Sequence, residues 1–399
     1  MKIKNLHIKE FKGLRDISIN FEKNDEPLDL VVLAGSNGSG KTRILESILD
    51  YFQKIVNHIE NENVAGVFFE TDERNCLNQG YNPHMLYKIL NYYNDENIVE
   101  RERKVVEENL KVFPKIIYVP TETNFQKVEI ASPMLVREYK FLNIVDTGLI
   151  KDVPSYIATR IMEMANEQEN TPMREIRAAV FKEINEIFEI LDLDIKISEI
   201  SKNVKSIPIF TNSTGDKFDI NELSSGEKQL FLRTLAIKML NPENSIILID
   251  EPELSLHPKW QQRIVDVYKK IGKNNQIIIA THSPHILGSV RKENIMLLDK
   301  NNDGKIVVRT GDELYDSYGQ PTERILEDIM GLKTTRNQEI FDKLEKIREM
   351  VNEDKYETDD FKKEYGDLKE ILGTMDEDIM LIDMEIQIRK KGLKNVKNM

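Results

Sequence analysis

The feature that most constrains this chain is a glycine-rich octapeptide set between an apolar run and an amphipathic one. Gly35-Ser36-Asn37-Gly38-Ser39-Gly40-Lys41-Thr42 matches the GxxxxGKT phosphate-binding loop in full. Before it runs Leu28-Asp29-Leu30-Val31-Val32-Leu33, near-continuous in apolar residues, as in a strand buried on both faces. After it Ile44, Leu45, Ile48, Leu49 and Phe52 recur at helical spacing. A strand entering such a loop and a helix leaving it aim successive N–H groups and a helix N-terminus at phosphate. Lys41 is then placed for the β- and γ-phosphates and Thr42 for Mg2+. An α/β P-loop nucleotide-binding fold is expected, with ATP and Mg2+ as ligands.

Three further segments follow in order. Leu223-Ser224-Ser225-Gly226-Glu227-Lys228-Gln229 stands where a helix begins. Alone, such a stretch reads as a helix cap. Just upstream of the next motif it gains a second reading, in which Ser224, Ser225, Gly226 and Glu227 offer a helix N-terminus to the γ-phosphate of ATP held by another copy of the chain. A head-to-tail homodimer follows, with a higher oligomer left open. Ile246-Ile247-Leu248-Ile249-Asp250-Glu251 is an apolar strand ending in two carboxylates. Asp250 is expected to hold Mg2+ and Glu251 to orient and deprotonate the attacking water. Thr281-His282-Ser283 closes the strand Ile277–Ala280, and His282 is placed to hydrogen-bond the γ-phosphate or hold the water. The expected catalytic set is Glu251, His282 and Lys41. Gln126, after the strand at 115–120, is a further metal-side candidate. Glu253–Pro258 is expected to form the loop that crosses the dimer interface, with His257 structural.

Around these motifs the chain divides by pattern. Residues 1–56 and 115–130 read as the first part of the nucleotide-binding head, opening with an N-terminal β-lobe. Residues 57–114 form a polar insertion with helical stretches at 85–93 and 98–110. Residues 131–205 read as an inserted helical subdomain, on the apolar spacing of Ile157, Ile161 and Met164 and of Ile176, Val180, Ile184, Ile187, Phe188 and Leu191. Residues 206–311 complete the head, with a hairpin around Asn212–Asp216. Residues 312–399 read as a charged C-terminal helical appendage and partner-docking region. In it Asp376, Glu377 and Asp378 read as a solvated helix turn.

The formal net charge of −13 argues against a protein coated in positive surface for nucleic acid, although a net charge does not map a local groove. One cysteine, Cys76, allows no intramolecular disulfide and fits a reducing compartment. The N-terminus has no apolar signal-like core, and no run approaches the ~20 apolar residues of a membrane span. A cytoplasmic protein with no membrane partner is the expectation.

The order of these motifs resembles the ABC-type ATPases of the RecF, SMC and OLD group. The resemblance rests on Gly-Ser-Asn-Gly-Ser-Gly-Lys-Thr, on Ile8-Lys9-Glu10-Phe11-Lys12-Gly13-Leu14, and on Asp250-Glu251-Pro252-Glu253-Leu254-Ser255-Leu256-His257-Pro258. It covers roughly residues 1–60 and 115–310. Tyr118-Val119-Pro120-Thr121-Glu122 and Gly319-Gln320-Pro321-Thr322-Glu323-Arg324-Ile325-Leu326 look like the Septu anti-phage ATPase subunits (PtuA-like), also found beside retrons. That resemblance implies a separate nuclease or toxin partner of HNH type. Asp376, Glu377 and Asp378 have no apolar strand–acid pattern around them, so no nuclease site is expected in this chain. The alternative is a RecF-like repair ATPase with DNA held across the head dimer. Its candidate basic residues are the lysines between 2 and 12, Arg101, Arg103 and Lys104, and Lys390 and Lys391. Intact Lys41, Thr42, Asp250, Glu251 and His282 speak against a scaffold that has lost its chemistry.

Overall fold

The apolar runs assemble into a seven-stranded sheet in the computed structural model, which describes residues 1–56, 68–70, 114–121, 140–201, 207–301 and 304–397. Gln126, Glu122, Cys76, Arg101, Arg103, Lys104 and the helical stretches expected at 85–93 and 98–110 lie outside the described residues. The strands are β1 (Lys2–Phe11), β2 (Leu14–Asn20), β3 (Glu22–Lys23), β4 (Glu26–Pro27), β5 (Leu30–Gly35), β6 (Phe68–Glu70), β7 (Ile116–Val119), β8 (Leu142–Ile144), β9 (Ile195–Ile200), β10 (Pro208–Asn212), β11 (Lys217–Asp219), β12 (Ile246–Asp250), β13 (Gln276–Thr281), β14 (Ile295–Lys300) and β15 (Ile306–Thr310). The central sheet runs β15-β14-β5-β13-β12-β7-β8, parallel throughout except where β15 turns back on β14.

Every residue of β5, β7, β12 and β13 is buried, the burial their unbroken apolar sequences call for. Parallel pairing has a functional consequence. It brings the C-terminal ends of these strands to one edge, with Ala34 beside Thr281, Ala280 beside Asp250 and Ile249 beside Val119. Ligands of open α/β sheets bind outside that edge. Helix α1 (Lys41–Val56) leaves it and packs Ile44, Leu45, Ile48 and Phe52 against the sheet. The β1–β2 hairpin supplies the small lobe. It turns at Lys12 and Gly13, whose φ values of +44° and +87° suit a tight hairpin turn.

Residues 131–205 are not all helical. Helices α2 (Thr147–Glu167) and α3 (Met173–Leu191) form on the expected spacing, but β8 and β9 lie in the same stretch. β8 extends the main sheet beside β7, and β9 pairs with β10 of the expected 208–219 hairpin. Both are short, and neither Leu142-Asn143-Ile144 nor the alternating Ile195–Ile200 outweighs the helical residues around it in sequence. Phe188, Phe210 and Phe231 meet with ring centroids 4.9–6.0 Å apart, joining α3, β10 and helix α4 (Ser225–Met239).

The chain divides into two units, Met1–Ile325 and Leu326–Met399. Residues 312–325 therefore go with the head rather than with the appendage. Ser317 Oγ donates to the Val290 carbonyl at 2.6 Å, and the Gly319 N–H to Gly288 at 2.9 Å. The first unit also holds the short helices α5 (Pro258–Gln261), α6 (Ile264–Lys269) and α7 (Pro284–Gly288). The second unit comprises α8 (Gln338–Asn352), α9 (Asp359–Leu372) and α10 (Glu377–Lys397), which enclose a core of Leu344, Ile347, Phe361, Tyr365, Leu368 and Ile379. Here too the sequence expectation is corrected. Asp376 and Asp378 do not form a solvated turn. Arg336 binds both, at 2.9 and 2.8 Å, and Arg348 reaches Asp378 at 2.6 Å. The arginines stand at least 30 residues from the acids they bind, so nothing local announces them. No helix among the described residues is long and apolar enough to cross a membrane.

Candidate nucleotide site

The phosphate loop runs from β5 into α1. Gly35 has φ +146°, and a Cβ there would stand 2.4 Å from the Leu298 carbonyl oxygen, so only glycine lets the loop leave between β5 and β14. Ser36, Asn37 and Gly38 are exposed, and Ser39, Gly40 and Lys41 are buried. Lys41 Nζ lies over the loop, donating to the carbonyls of Gly35 at 2.9 Å and Ser36 at 3.1 Å. Burial lowers its pKa, opposed by the charges of Glu251, Glu253 and Asp250. The Ser39 hydroxyl is buried without a protein partner. An ammonium group, an inward hydroxyl and a helix N-terminus at one loop suit a polyphosphate.

Asp250 ends β12 beside this loop. Its Oδ1 accepts from Thr42 Oγ1 at 3.1 Å and its Oδ2 from Thr121 Oγ1 at 2.7 Å. Burial raises the Asp250 pKa, and the two threonine hydrogen bonds oppose the rise. A hydroxyl and a carboxylate in mutual contact are the oxygen donors Mg2+ takes. Thr42 and Asp250 are thus the described residues that would hold it. The expected third, Gln126, is not among them.

Glu251 follows with φ +43°, a conformation rare for a side-chain-bearing residue, and its N–H donates to Ala280 at 2.9 Å. The strained turn separates its side chain from that of Asp250. His282 Nδ1 stands 3.4 Å from Glu251 Oε1 and 3.4 Å from Glu253 Oε1. The sheet therefore brings Lys41, Thr42, Asp250, Glu251 and His282 together.

Ser224 caps α4: its hydroxyl accepts from the Glu227 N–H, and the Glu227 side chain returns to the Ser224 N–H. Ser224 and Ser225 are exposed, and Gly226 is buried. A Cβ on Gly226 would lie 2.6 Å from the Ser255 carbonyl oxygen, so the start of α4 rests on the loop after β12. The cap and an outward-facing helix start thus coexist. His257 also caps, accepting from the Lys259 N–H at 3.2 Å, the structural role expected of it.

Three site residues were not foreseen. Thr121 reaches Asp250, as above. Arg233, on α4 and 1% exposed, donates to the carbonyls of Pro120 and Thr121 at 2.8 Å each and to that of Glu251 at 3.4 Å. Glu253, 5% exposed, accepts from Thr281 Oγ1 at 2.7 Å and from the His282 N–H at 2.9 Å. Thr121 and Glu253 lay inside the motifs that carry the family resemblance, which was the available signal. Arg233 had only its place between the apolar runs Leu230–Leu232 and Leu235–Ile237. Of the basic candidates for DNA, Lys2, Lys4 and Lys12 pair with Asp29, Glu22 and Glu46, and Lys390 with Glu357.

A parallel sheet with phosphate loop, twin carboxylates and a histidine on one edge, and a capped serine-glycine helix start on the same unit, define an ABC-like ATPase head. Family models match in two parts: "AAA ATPase domain" over residues 1–144, and "AAA domain, putative AbiEii toxin, Type IV TA system" over residues 153–288. The chain is 28% identical to a Septu protein PtuA of Bacillus thuringiensis, over 88% of this chain and 91% of that one. It is 24% identical to the Retron Vc95 probable ATPase of Vibrio cholerae, over 75% of this chain and 74% of that one. To the Retron Ec83 probable ATPase of Escherichia coli it is 30% identical, over 48% of this chain and 34% of that one. Over most of its length the chain is thus similar to ATPases of the Septu and retron systems, and its fold is that of an ABC-like ATPase head.

Proposed function

We propose that this chain is the ATP-binding and ATP-hydrolysing subunit of a bacterial anti-phage defence system, and that two copies close head-to-tail on ATP. The convergence of Lys41, Asp250, Glu251 and His282 at one sheet edge carries the reading. In it the loop N–H groups of 35–42 and Lys41 hold the triphosphate. Mg2+ bound by Thr42 and Asp250 supplies charge stabilisation to the phosphoryl oxygens. Glu251 orients a water and takes its proton, and His282 faces the terminal phosphate. Ser224 and Ser225, exposed at the start of a 15-residue helix, present N–H groups and the positive end of its dipole to the ATP of the other copy. Binding at a surface completed by two heads makes the dimer a two-state element that nucleotide biases.

The output in this reading is a separate nuclease or toxin protein held by the helical unit 326–399. Support comes from its uncovered apolar side chains. Leu381, Met384 and Ile388 are 56–70% exposed and fall on one face of α10, with Ile371 and Met375 exposed at the end of α9 and beyond it.

Glu251→Gln is the direct test. With ATP and Mg2+ it is expected to give a stable dimer by light scattering and turnover reduced by at least ~100-fold. Adding Ser225→Arg is expected to abolish that dimer while leaving ATP bound to single chains. Unchanged turnover removes Glu251 from its role, and a dimer that survives Ser225→Arg removes the signature from the interface. Deleting 326–399 is expected to abolish capture of the partner nuclease and leave ATP binding intact. A truncated chain that still captures the partner would place docking on the head.

A further inference from the structure

We infer that Glu253 is a positioning residue for ATP hydrolysis, the carboxylate through which the loop after β12 sets the switch histidine, His282. The inference rests on hydrolysis at this site and adds a residue to it.

The turn Thr281-His282-Ser283 is built around one oxygen of this side chain. Glu253 Oε1 accepts from the Thr281 hydroxyl at 2.7 Å and from the His282 N–H at 2.9 Å. Thr281 Oγ1 in turn accepts from the Ser283 N–H at 2.9 Å. A second bridge joins the same two segments. Gln261 accepts from Ser283 Oγ at 2.6 Å and donates to the carbonyls of Leu256 at 2.9 Å and Glu253 at 3.4 Å. The switch turn is therefore tied to the 253–257 loop by side chains at both ends.

A brace needs only one oxygen, and a neutral side chain could supply it. Glu253 does more. It is 5% exposed, and its Oε2 is buried without a hydrogen-bond partner. A buried carboxylate left half-satisfied is costly unless its charge serves something near it. Its charge acts on the Lys41 ammonium and the Arg233 guanidinium, opposing the lowering of both pKa values by burial, and His282 Nδ1, also buried and without a hydrogen bond, stands 3.4 Å from Oε1. Glu251 Oε1 faces the same nitrogen at 3.4 Å. Two carboxylates on one ring nitrogen favour a hydrogen there and leave Nε2 as the nitrogen turned away from them. Glu253 thus selects which edge of the imidazole the phosphate meets. It also keeps His282 from being claimed by Glu251 alone, which leaves Glu251 for water.

The same residue gives this setting a regulator. The backbone at Ser255 carries φ +61° and touches the start of α4 at Gly226. A shift of the 253–257 loop when a second head engages it moves Glu253, and with it the His282 N–H and ring. Hydrolysis is then tuned by dimer contact through one side chain.

Glu253→Gln separates charge from shape. Its amide oxygen can still accept from Thr281 and from the His282 N–H, and only the negative charge is lost. Steady-state ATPase kinetics are read beside the thermal midpoint and the affinity for a fluorescent ATP analogue. The expected result is a kcat lowered by about tenfold or more, with KM, analogue affinity and thermal midpoint close to those of the parent chain. A kcat equal to the parent's overturns the inference, because shape alone then suffices. A fall in kcat accompanied by matching losses of affinity and thermal midpoint also overturns it, since Glu253 is then a structural brace. Glu253→Ala, which removes shape and charge, is expected to lose kcat further. A kcat for Glu253→Ala above that of Glu253→Gln counts against the inference. If the parent chain hydrolyses no ATP, the proposed activity fails, and the tautomer is tested by imidazole nitrogen NMR. There Glu253→Gln is expected to move hydrogen off Nδ1 of His282, and an unchanged spectrum overturns the inference alone.

Discussion

Arg233 donates to the Thr121 carbonyl at 2.8 Å, and the hydroxyl of the same threonine reaches Asp250 at 2.7 Å. The helix that begins at Ser224 is thereby joined to the carboxylate expected to hold Mg2+. A change at the exposed start of α4 has a route through Arg233 and Thr121 to Asp250 of the same head.

Arg233→Met tests that route. The guanidinium is 1% exposed and serves three carbonyls. Its loss removes this donor from three partly buried oxygens, at an expected cost of about 2–4 kcal/mol in urea unfolding. ATPase turnover should fall more than ATP affinity, because Lys41 and the loop glycines remain.

Gly226→Ala should disturb the loop after β12 and not the phosphate loop. A Cβ at 2.6 Å from the Ser255 oxygen cannot be absorbed by a side-chain rotation, since the obstacle is backbone. A loss of about 1–3 kcal/mol is expected, and ATP-dependent dimerisation should weaken in light scattering while ATP binding persists.

Lys115 predicts a pH dependence. It is 1% exposed, and burial holds its pKa down to about 8 against an ordinary 10.5, with Glu243 opposing. Its folded pKa lies below its unfolded one, so between about pH 8 and 10.5 the unfolded chain binds more protons. Stability from this group therefore rises with pH in that window, by on the order of 1 kcal/mol per unit. Urea unfolding at pH 8 and 9.5 should show the rise in the parent chain and a smaller one in Lys115→Met.

Arg336→Ala should loosen the helical unit. It removes the arginine of Asp376 and one of the two arginines on Asp378, and leaves like charges side by side at the start of α10. The pairs are partly exposed, so a loss of about 1–2 kcal/mol is expected, read as faster amide exchange in α8 and α10.

What could be read in the sequence was the part carried by contiguous residues. The glycines of 35–40 declare a loop because only glycine tolerates Gly35's approach to Leu298, and the apolar runs of β5, β12 and β13 declare strands buried on both faces. The helical residues of 157–191 were legible by period. The strands β8 and β9 were not, being too short for their pattern to prevail over neighbouring helices.

The amino-acid sequence by itself determined the chemistry: a phosphate loop, two acids at a strand end, a histidine after the next strand, and a capped serine-glycine turn. Each is a run of neighbours whose residue types imply their task. Only the tertiary structure decided the supports of that chemistry, because Thr121 meets Asp250 across 129 residues, Arg233 meets Thr121 across 112, and Glu253 meets Thr281 across 28. Such pairs leave no period or spacing along the chain. They exist because a parallel sheet delivers distant strand ends to one edge, where a buried polar atom must find its partner in whatever segment arrives beside it.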